Sequence, residues 1–516
     1  MFVSITSGSS CGISCCLSQV EVDTSQALPG FDMVGNLGSE VREARERVRV
    51  ALKNIGIRMP AIRVTVNISP AGIRKDGTAY DLPIAVGILV SIGMIPAEET
   101  KNILFLGELG LDGELKGVPG VLPIVAEAVK SGVTTCIVPK ENEYEAAIAE
   151  GMTVLGFENI RKILMYLTAS YSERNIITKP CHIDLAELLQ KQRRMEKGKA
   201  DFADLIGQES IRRSAEIAAA GFHNLLLIGP PGAGKTMAAR RIPSILPPMS
   251  VEESLEVTKI YSISGKLSKD HYLITERPFL NPHHTISEHA LIGGGRNPKP
   301  GTVSLAHKGV LFLDEFPEFK REVIESLRQP LEEKQVHIAR STGNYSYPAD
   351  IMLVAAMNPC PCGFYPDREK CRCTPNEVRR YRSRISAPIL DRMDMIVEAP
   401  KLKIRELTEN TKGECSKGIR ERVLRARKRQ CMRYEGTAYH FNSELDVGGV
   451  HRFCQLGEAQ QQFITQMYEN LELSARGYHR LLKLARTIAD LDDCEKITVD
   501  HLSEAVCYRM TDMWNA

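Results

Sequence analysis

The stretch that most constrains this chain is GPPGAGKT, from Gly229 to Thr236. An unbroken apolar run, Leu225-Leu226-Leu227-Ile228, precedes it and has the length and character of a buried parallel strand. Met237 to Ile242 follows and reads as the first turns of a helix ahead of the Pro247-Pro248 break. Strand, glycine-rich loop and helix form the context that makes a G-x-x-x-x-G-K-[ST] match a phosphate site rather than a ligand-free turn. Gly229, Pro230, Pro231, Gly232, Ala233 and Gly234 supply a turn whose backbone N–H groups converge on an anion at a helix N-terminus. Lys235 reaches the β- and γ-phosphates, and Thr236 offers its hydroxyl to magnesium. The expected ligands are therefore ATP, or another nucleoside triphosphate, and magnesium.

Two further strands supply what hydrolysis needs. Val310 to Leu313 is apolar and ends in Asp314-Glu315. Asp314 is placed to hold magnesium directly or through water, and Glu315 to polarise the attacking water. Ile351 to Met357 ends at Asn358, whose amide can bond both the attacking water and the γ-phosphate. Upstream, DFADLIGQ (Asp201 to Gln208) resembles the box that contacts adenine in AAA+ ATPases, with Ile206 and Gly207 against the base. SAPILDRMD (Ser386 to Asp394) puts Arg392 where AAA+ rings carry an arginine finger; a salt bridge to Asp391 or Asp394 is the alternative. A finger implies a ring, because each site then needs two subunits.

Two insertions, Leu280 to Gly309 and a hairpin from Gln335 to Asp350 around Gly343-Asn344, resemble those of the AAA+ branch containing magnesium chelatase and the minichromosome maintenance helicases. There such loops face the ring pore, which makes Arg296, Lys299 and Arg340 candidates for touching a threaded strand by its phosphates; shaping the subunit interface is the other reading. His283, His284 and His289 are read as packing or interface residues rather than metal ligands. Immediately after Asn358, Cys360, Cys362, Cys371 and Cys373 form C-x-C-x8-C-x-C, two close pairs able to wrap a structural zinc; free thiols are the alternative.

With 516 residues there is room for about three domains, and a net charge of only +2 confines any nucleic-acid contact to local basic surfaces. No run is long and apolar enough for a membrane span, and the N-terminus lacks the basic region of a secretory signal. Fourteen cysteines in a chain this long do not suggest a disulfide scaffold, so a reducing, cytoplasmic setting is expected.

Within residues 1–170, Val41, Ala44, Val48, Ala51 and Leu52 mark a helix whose polar face carries Arg42, Arg45, Arg47 and Arg49. PAGIRKDGTAYDLPIA (Pro70 to Ala85) and GELGLDGELKGVPGV (from Gly107) resemble the proteolytic domain of Lon-type proteases, implying a ribosomal-protein-S5-domain-2-like α/β fold. Where that family has its serine this chain has Ala79, and where it has its lysine, Leu122; neither can attack a carbonyl or act as a base. Thr78 and Lys116 are the nearest substitutes. Residues 171–200 read as a linker, 201–400 as the AAA+ αβα core and 401–516 as a helical lid. In that last region Arg422, Arg425, Arg429 and Arg433 share a helix face, either solvated or set against a phosphate backbone. Arg476, with Arg480 as alternative, matches the lid arginine called sensor 2.

From end to end the chain resembles the magnesium chelatase-like AAA+ ATPases of the YifB/ComM family. That resemblance implies a hexameric ATPase, with DNA, single-stranded or branched, as partner. It also implies helicase or branch-migration activity in recombination or natural transformation. A chelatase-type motor remodelling a protein partner is the alternative, and a Lon-like peptidase is disfavoured by Ala79 and Leu122.

Overall fold

Alternating and continuous apolar patterns sort into two sheets. The structure is a computed structural model that describes residues 1–185, 187–188, 200–295, 298–340, 343–401, 413–470 and 474–509. In the first part β1 (Phe2–Cys11) and β2 (Ser14–Ser25) form an antiparallel hairpin in which Cys11 faces Ser14. β3 (Gly30–Val34), β4 (Arg63–Ser69), β5 (Ile103–Phe105), β6 (Thr135–Pro139) and β7 (Thr153–Phe157) complete a seven-stranded sheet of order β3-β4-β2-β1-β5-β6-β7. Val64, Val66 and Ile68 alternate inward along β4, as a half-buried strand requires. The helices α1 (Ser39–Asn54) and α2 (Asp81–Ser91) cover one face, and α3 (Val121–Lys130) covers the other. The predicted apolar stripe of α1 is fully buried. Arg47 departs from its expected solvated face: its guanidinium turns inward and forks onto the fully buried Asp81 at 2.7 and 2.9 Å.

The second sheet is parallel throughout, in the order β9-β10-β13-β8-β14, where β8 is Leu225–Ile228, β9 Phe279–Leu280, β10 Val310–Leu313, β13 Met352–Met357 and β14 Met395–Glu398. Its central strands are buried on both faces, which is why they read as unbroken apolar runs. Leu225 and Leu227 point into one core, while Leu226 and Ile228 point into the other. The core holding Leu225 also holds α6 (Glu209–Gly221) and the C-terminal helices α12 (Ser416–Arg433), α13 (Ala475–Leu491) and α14 (Val499–Cys507). Buried bonds lock these helices to α6 and the residues that follow it: Gln430 donates to the Ala220 carbonyl, and His223 meets the Thr487 hydroxyl at 2.8 Å.

The two sheets are joined through a seam. Ser262, at the end of α9 (Val251–Ile263), donates to the buried carboxylate of Glu145, which also accepts from the Leu122 N–H at 3.0 Å. Tyr144 stacks on Tyr272 at 5.1 Å, and Leu122, Ile148, Leu185 and Leu273 form a small shared core. Among the described residues no helix is long and apolar enough to cross a membrane.

Candidate active site

The loop after β8 and the ends of β10 and β13 meet at one edge of the parallel sheet. Lys235 is almost completely buried, and its ammonium donates to the carbonyls of Gly229 (2.6 Å) and Pro230 (2.9 Å) and to Asn358 Oδ1 (3.2 Å). Burial pulls its pKa down to about 8, with Asp314 opposing the shift. Thr236 donates to Asp314 Oδ2 at 2.6 Å, which brings two hard oxygen donors together. Asp314 Oδ1 in turn accepts from the Glu315 N–H. Glu315 adopts a left-handed backbone, φ 52°, and its exposed carboxylate lies 3.3 Å from His284. An ammonium among carbonyls and a hydroxyl–carboxylate pair suit a triphosphate and magnesium.

Helix formation after the loop is shorter than the sequence pattern predicts. The helices α7 (Lys235–Ala239) and α8 (Ile242–Ile245) are separate, with the break at Arg240-Arg241. Arg241 is recruited elsewhere: it donates to the Asp201 carbonyl (2.6 Å) and to Asp204 (2.7 Å), tying the segment 201–208 beside the loop. Gly207 lies exposed and Ile206 half-buried there, while Gln208 donates to the Pro400 carbonyl.

The cysteine cluster abuts this loop. All four thiol sulfurs lie within 4.8 Å of one another, with close pairs at 3.4, 3.6 and 3.7 Å. Four sulfurs at the Zn–S distance of about 2.3 Å would lie about 3.8 Å apart, so the donor set fits tetrahedral zinc. Burial opposes ionisation of Cys362, but the Phe364 amide and the neighbouring thiols pull it down to about 6. Gly363 touches the phosphate loop: at φ +86°, a Cβ there would fall 2.6 Å from Pro231 Cδ. A pocket of ≈ 430 Å³ opens between the two, lined by Gly229, Pro230, Phe364, Tyr365 and Lys401.

Arg392 and Arg476 are brought together, but not at this edge. Met395, which opens β14, pairs with Leu225 at the start of β8, whereas the phosphate loop follows Ile228 at its end. Arg392 therefore belongs to the opposite edge of the sheet, about 10 Å away along β8 alone. There both guanidinium groups donate to one carboxylate, Glu332, with Arg476 at 2.5 Å. Arg476 also reaches Asp391 at 3.3 Å, and Arg480 lies 3.8 Å from Asp391 and Asp394. Burial works against the charge on Glu332, but the two arginines outweigh it and hold the group below the usual carboxylate range. A pocket of ≈ 240 Å³ is formed here, with Glu332, Arg392, Arg476, Arg480 and Lys483 in its wall.

The two insertions pack on each other. Gly294 pairs with Lys299, and Tyr347, fully buried in the hairpin, donates to the Pro298 carbonyl at 2.7 Å. Lys299 and Arg340 are both exposed on this assembly, while Arg296 lies outside the described residues. The hairpin strands β11 (Gln335–Arg340) and β12 (Gly343–Pro348) pair Arg340 with Gly343 and Ala339 with Asn344, so Gly343 and Asn344 belong to a strand rather than to the centre of the turn. His283 and His284 stack at 4.1 Å, and among the described residues the only metal-competent cluster is the four cysteines. Three of the four C-terminal arginines are neutralised: Arg422 by Glu216 and the nearby Glu414, Arg429 by Asp493 and Arg433 by Asp490. The expected open basic face is thus largely a set of packing contacts. Ala79 packs against an apolar core and Leu122 lies in the seam between the two sheets. Glu332 and Gly363 had no motif to mark them, and His284, read as a packing or interface residue, lies beside Glu315.

A parallel sheet of this strand order, with a lysine loop, an acidic strand end and an amide on adjacent strands, defines a P-loop ATPase of the AAA+ superfamily. Residues 201–407 match the family described as magnesium chelatase, subunit ChlI, residues 413–509 its C-terminal family, and residues 20–142 a further ChlI family. YifB of Escherichia coli K12 is 42% identical over 96% of this chain and 94% of its own length. Competence protein ComM of Haemophilus influenzae is 40% identical over 98% and 97%. Lon protease 2 of Bacillus subtilis is 25% identical over 32% of each chain. The chain belongs to the magnesium chelatase-like YifB/ComM family.

Proposed function

We propose that this protein hydrolyses ATP at sites shared between the subunits of a homo-hexameric ring, and that the ring moves along DNA. The observation that carries the shared site is the placement of Arg392 and Arg476 at the sheet edge opposite the chain's own phosphate loop. An arginine pair there serves a neighbour's phosphates rather than its own. In this reading Lys235 and the loop amides bind the triphosphate, while Thr236 and Asp314 hold magnesium. Magnesium held by Thr236 and Asp314 would supply positive charge against the phosphates. Glu315 takes up the proton of the attacking water, and Asn358 orients that water. Arg392 and Arg476, from the adjoining subunit, stabilise the charge on the transferring phosphoryl group. The cysteine cluster holds a structural zinc that stiffens the turn from Asn358 toward Arg392. Residues 1–170 form an inactive Lon-like domain, residues 201–400 the core and residues 401–516 the lid; without a nucleophile at Ala79, the chain is not a peptidase.

DNA as substrate draws support from the name of the competence relative and from Lys299 and Arg340, both exposed on the joined insertions. A helicase or branch-migration role in recombination or natural transformation follows from it. A protein-remodelling motor is favoured instead by one observation, the neutralisation of the arginines on α12. ATP turnover with and without single-stranded and branched DNA separates the two. The DNA reading expects stimulation that weakens as salt rises; no effect of DNA on rate or assembly would overturn it.

A further inference from the structure

Glu332 lies near the end of α10 (Arg328–Glu333), three residues before strand β11 begins. Its two oxygens are shared between Arg392 and Arg476, so one half-exposed carboxylate occupies both guanidinium groups. The fit is incomplete. Among the described residues Arg392 Nε and Arg480 Nη1 are buried without a hydrogen-bond acceptor. An arrangement built only for this carboxylate would leave fewer donors idle; a triphosphate brings more oxygens than one carboxylate does.

The hairpin and this carboxylate share a mount. Lys334, between α10 and β11, has a left-handed backbone (φ 56°) and grips Asp350 at 3.1 Å and Glu444 at 2.7 Å. Asp350 follows the end of β12, so both ends of the hairpin are pinned beside Glu332. The base of the hairpin is thereby tied to the last turn of α10.

We propose that Glu332 is a positioning residue that holds Arg392 and Arg476 away from a neighbouring subunit's triphosphate until movement of the hairpin β11–β12 draws it off them. The proposal rests on the reading that these arginines act between subunits. In the resting state the carboxylate stands in for phosphate oxygens; when the hairpin engages a strand, α10 shifts and the arginines become available. Turnover in one subunit is thereby tied to strand contact in the subunit that supplies the arginines.

The test compares Glu332→Gln, which keeps size and removes charge, with the wild type. ATP turnover is measured first without DNA, then with a single-stranded oligonucleotide, and assembly is followed by light scattering. The expected result is a DNA-free turnover raised about fivefold, the scale of one half-exposed charge-assisted hydrogen bond, with KM for ATP within about twofold of wild type. Stimulation by the oligonucleotide should shrink toward one, and Glu332→Asp, which keeps the charge, should restore a low DNA-free rate. A DNA-free rate for Glu332→Gln equal to or below wild type would overturn the proposal. Arg392→Ala distinguishes the two readings. If that variant keeps full turnover, the shared site itself fails. If it is inactive while Glu332→Gln matches wild type, only the role of Glu332 fails.

Discussion

Nucleotide binding should take up a proton near pH 8, and the group responsible is Lys235. In the free protein its ammonium is surrounded by two carbonyls and an amide oxygen at 2.6 to 3.2 Å, and burial, outweighing the opposing charge of Asp314, lowers its pKa to about 8. A triphosphate places several negative charges beside it and returns the pKa to its ordinary range or above. The sign follows from linkage. A group whose pKa rises on binding gives an affinity fully present below the free-state value and lost as pH climbs through about 8. At pH 8 about half the free protein carries the proton, so binding takes up about 0.5 proton per nucleotide; at pH 9 the uptake is about 0.9. Between pH 7 and pH 9 affinity should fall about tenfold. The nucleotide's own last phosphate ionisation, near pH 6, is nearly complete over this range and adds little. Titration calorimetry in two buffers of different ionisation heat, without magnesium, reads the uptake directly, and Lys235→Ala should abolish it. Uptake near zero at pH 8, with affinity flat from pH 7 to pH 9, would refute the assignment.

Protein purified without added zinc should carry about one zinc per chain, held by Cys360, Cys362, Cys371 and Cys373; less than half an equivalent would contradict the cluster's role. Gly363→Ala forces a Cβ to within 2.6 Å of Pro231 in a left-handed backbone, and should cost about 1–3 kcal/mol in urea unfolding while weakening ATP binding. Casein incubated with the protein and ATP should remain intact, because the side chains of Ala79 and Leu122 can neither attack a carbonyl nor act as a base; ATP-dependent cleavage would overturn that.

What was legible in the sequence was local. The runs Leu225 to Ile228, Val310 to Leu313 and Ile351 to Met357 announce a parallel sheet because burial on both faces leaves no polar alternation. The residues at their C-terminal ends then converge without further information, which is why Lys235, Asp314 and Asn358 could be named from spacing alone. Long-range partners were not legible. Arg47 looked solvated because Asp81 lies 34 residues away. The arginines of α12 looked unbalanced because Glu216 and Asp490 come from other helices and Asp493 from the turn after α13. Leu122 could be read as a missing lysine but not as part of the seam between the two sheets. The spacing of the cysteines predicted their cluster, while its contact with Pro231 depends on how the loop folds back.

The central claim, that each site is completed by a neighbour, is tested most directly by mixing two defective proteins. Lys235→Ala subunits lack a working loop but keep Arg392, and Arg392→Ala subunits keep the loop but cannot supply the arginine. Each alone should be inactive in ATP turnover. Mixed in equal amounts under exchange conditions, about one interface in four joins an intact loop to an intact arginine, so about a quarter of wild-type turnover should return. A mixture as inactive as its components, or an Arg392→Ala protein with normal turnover, would contradict the account.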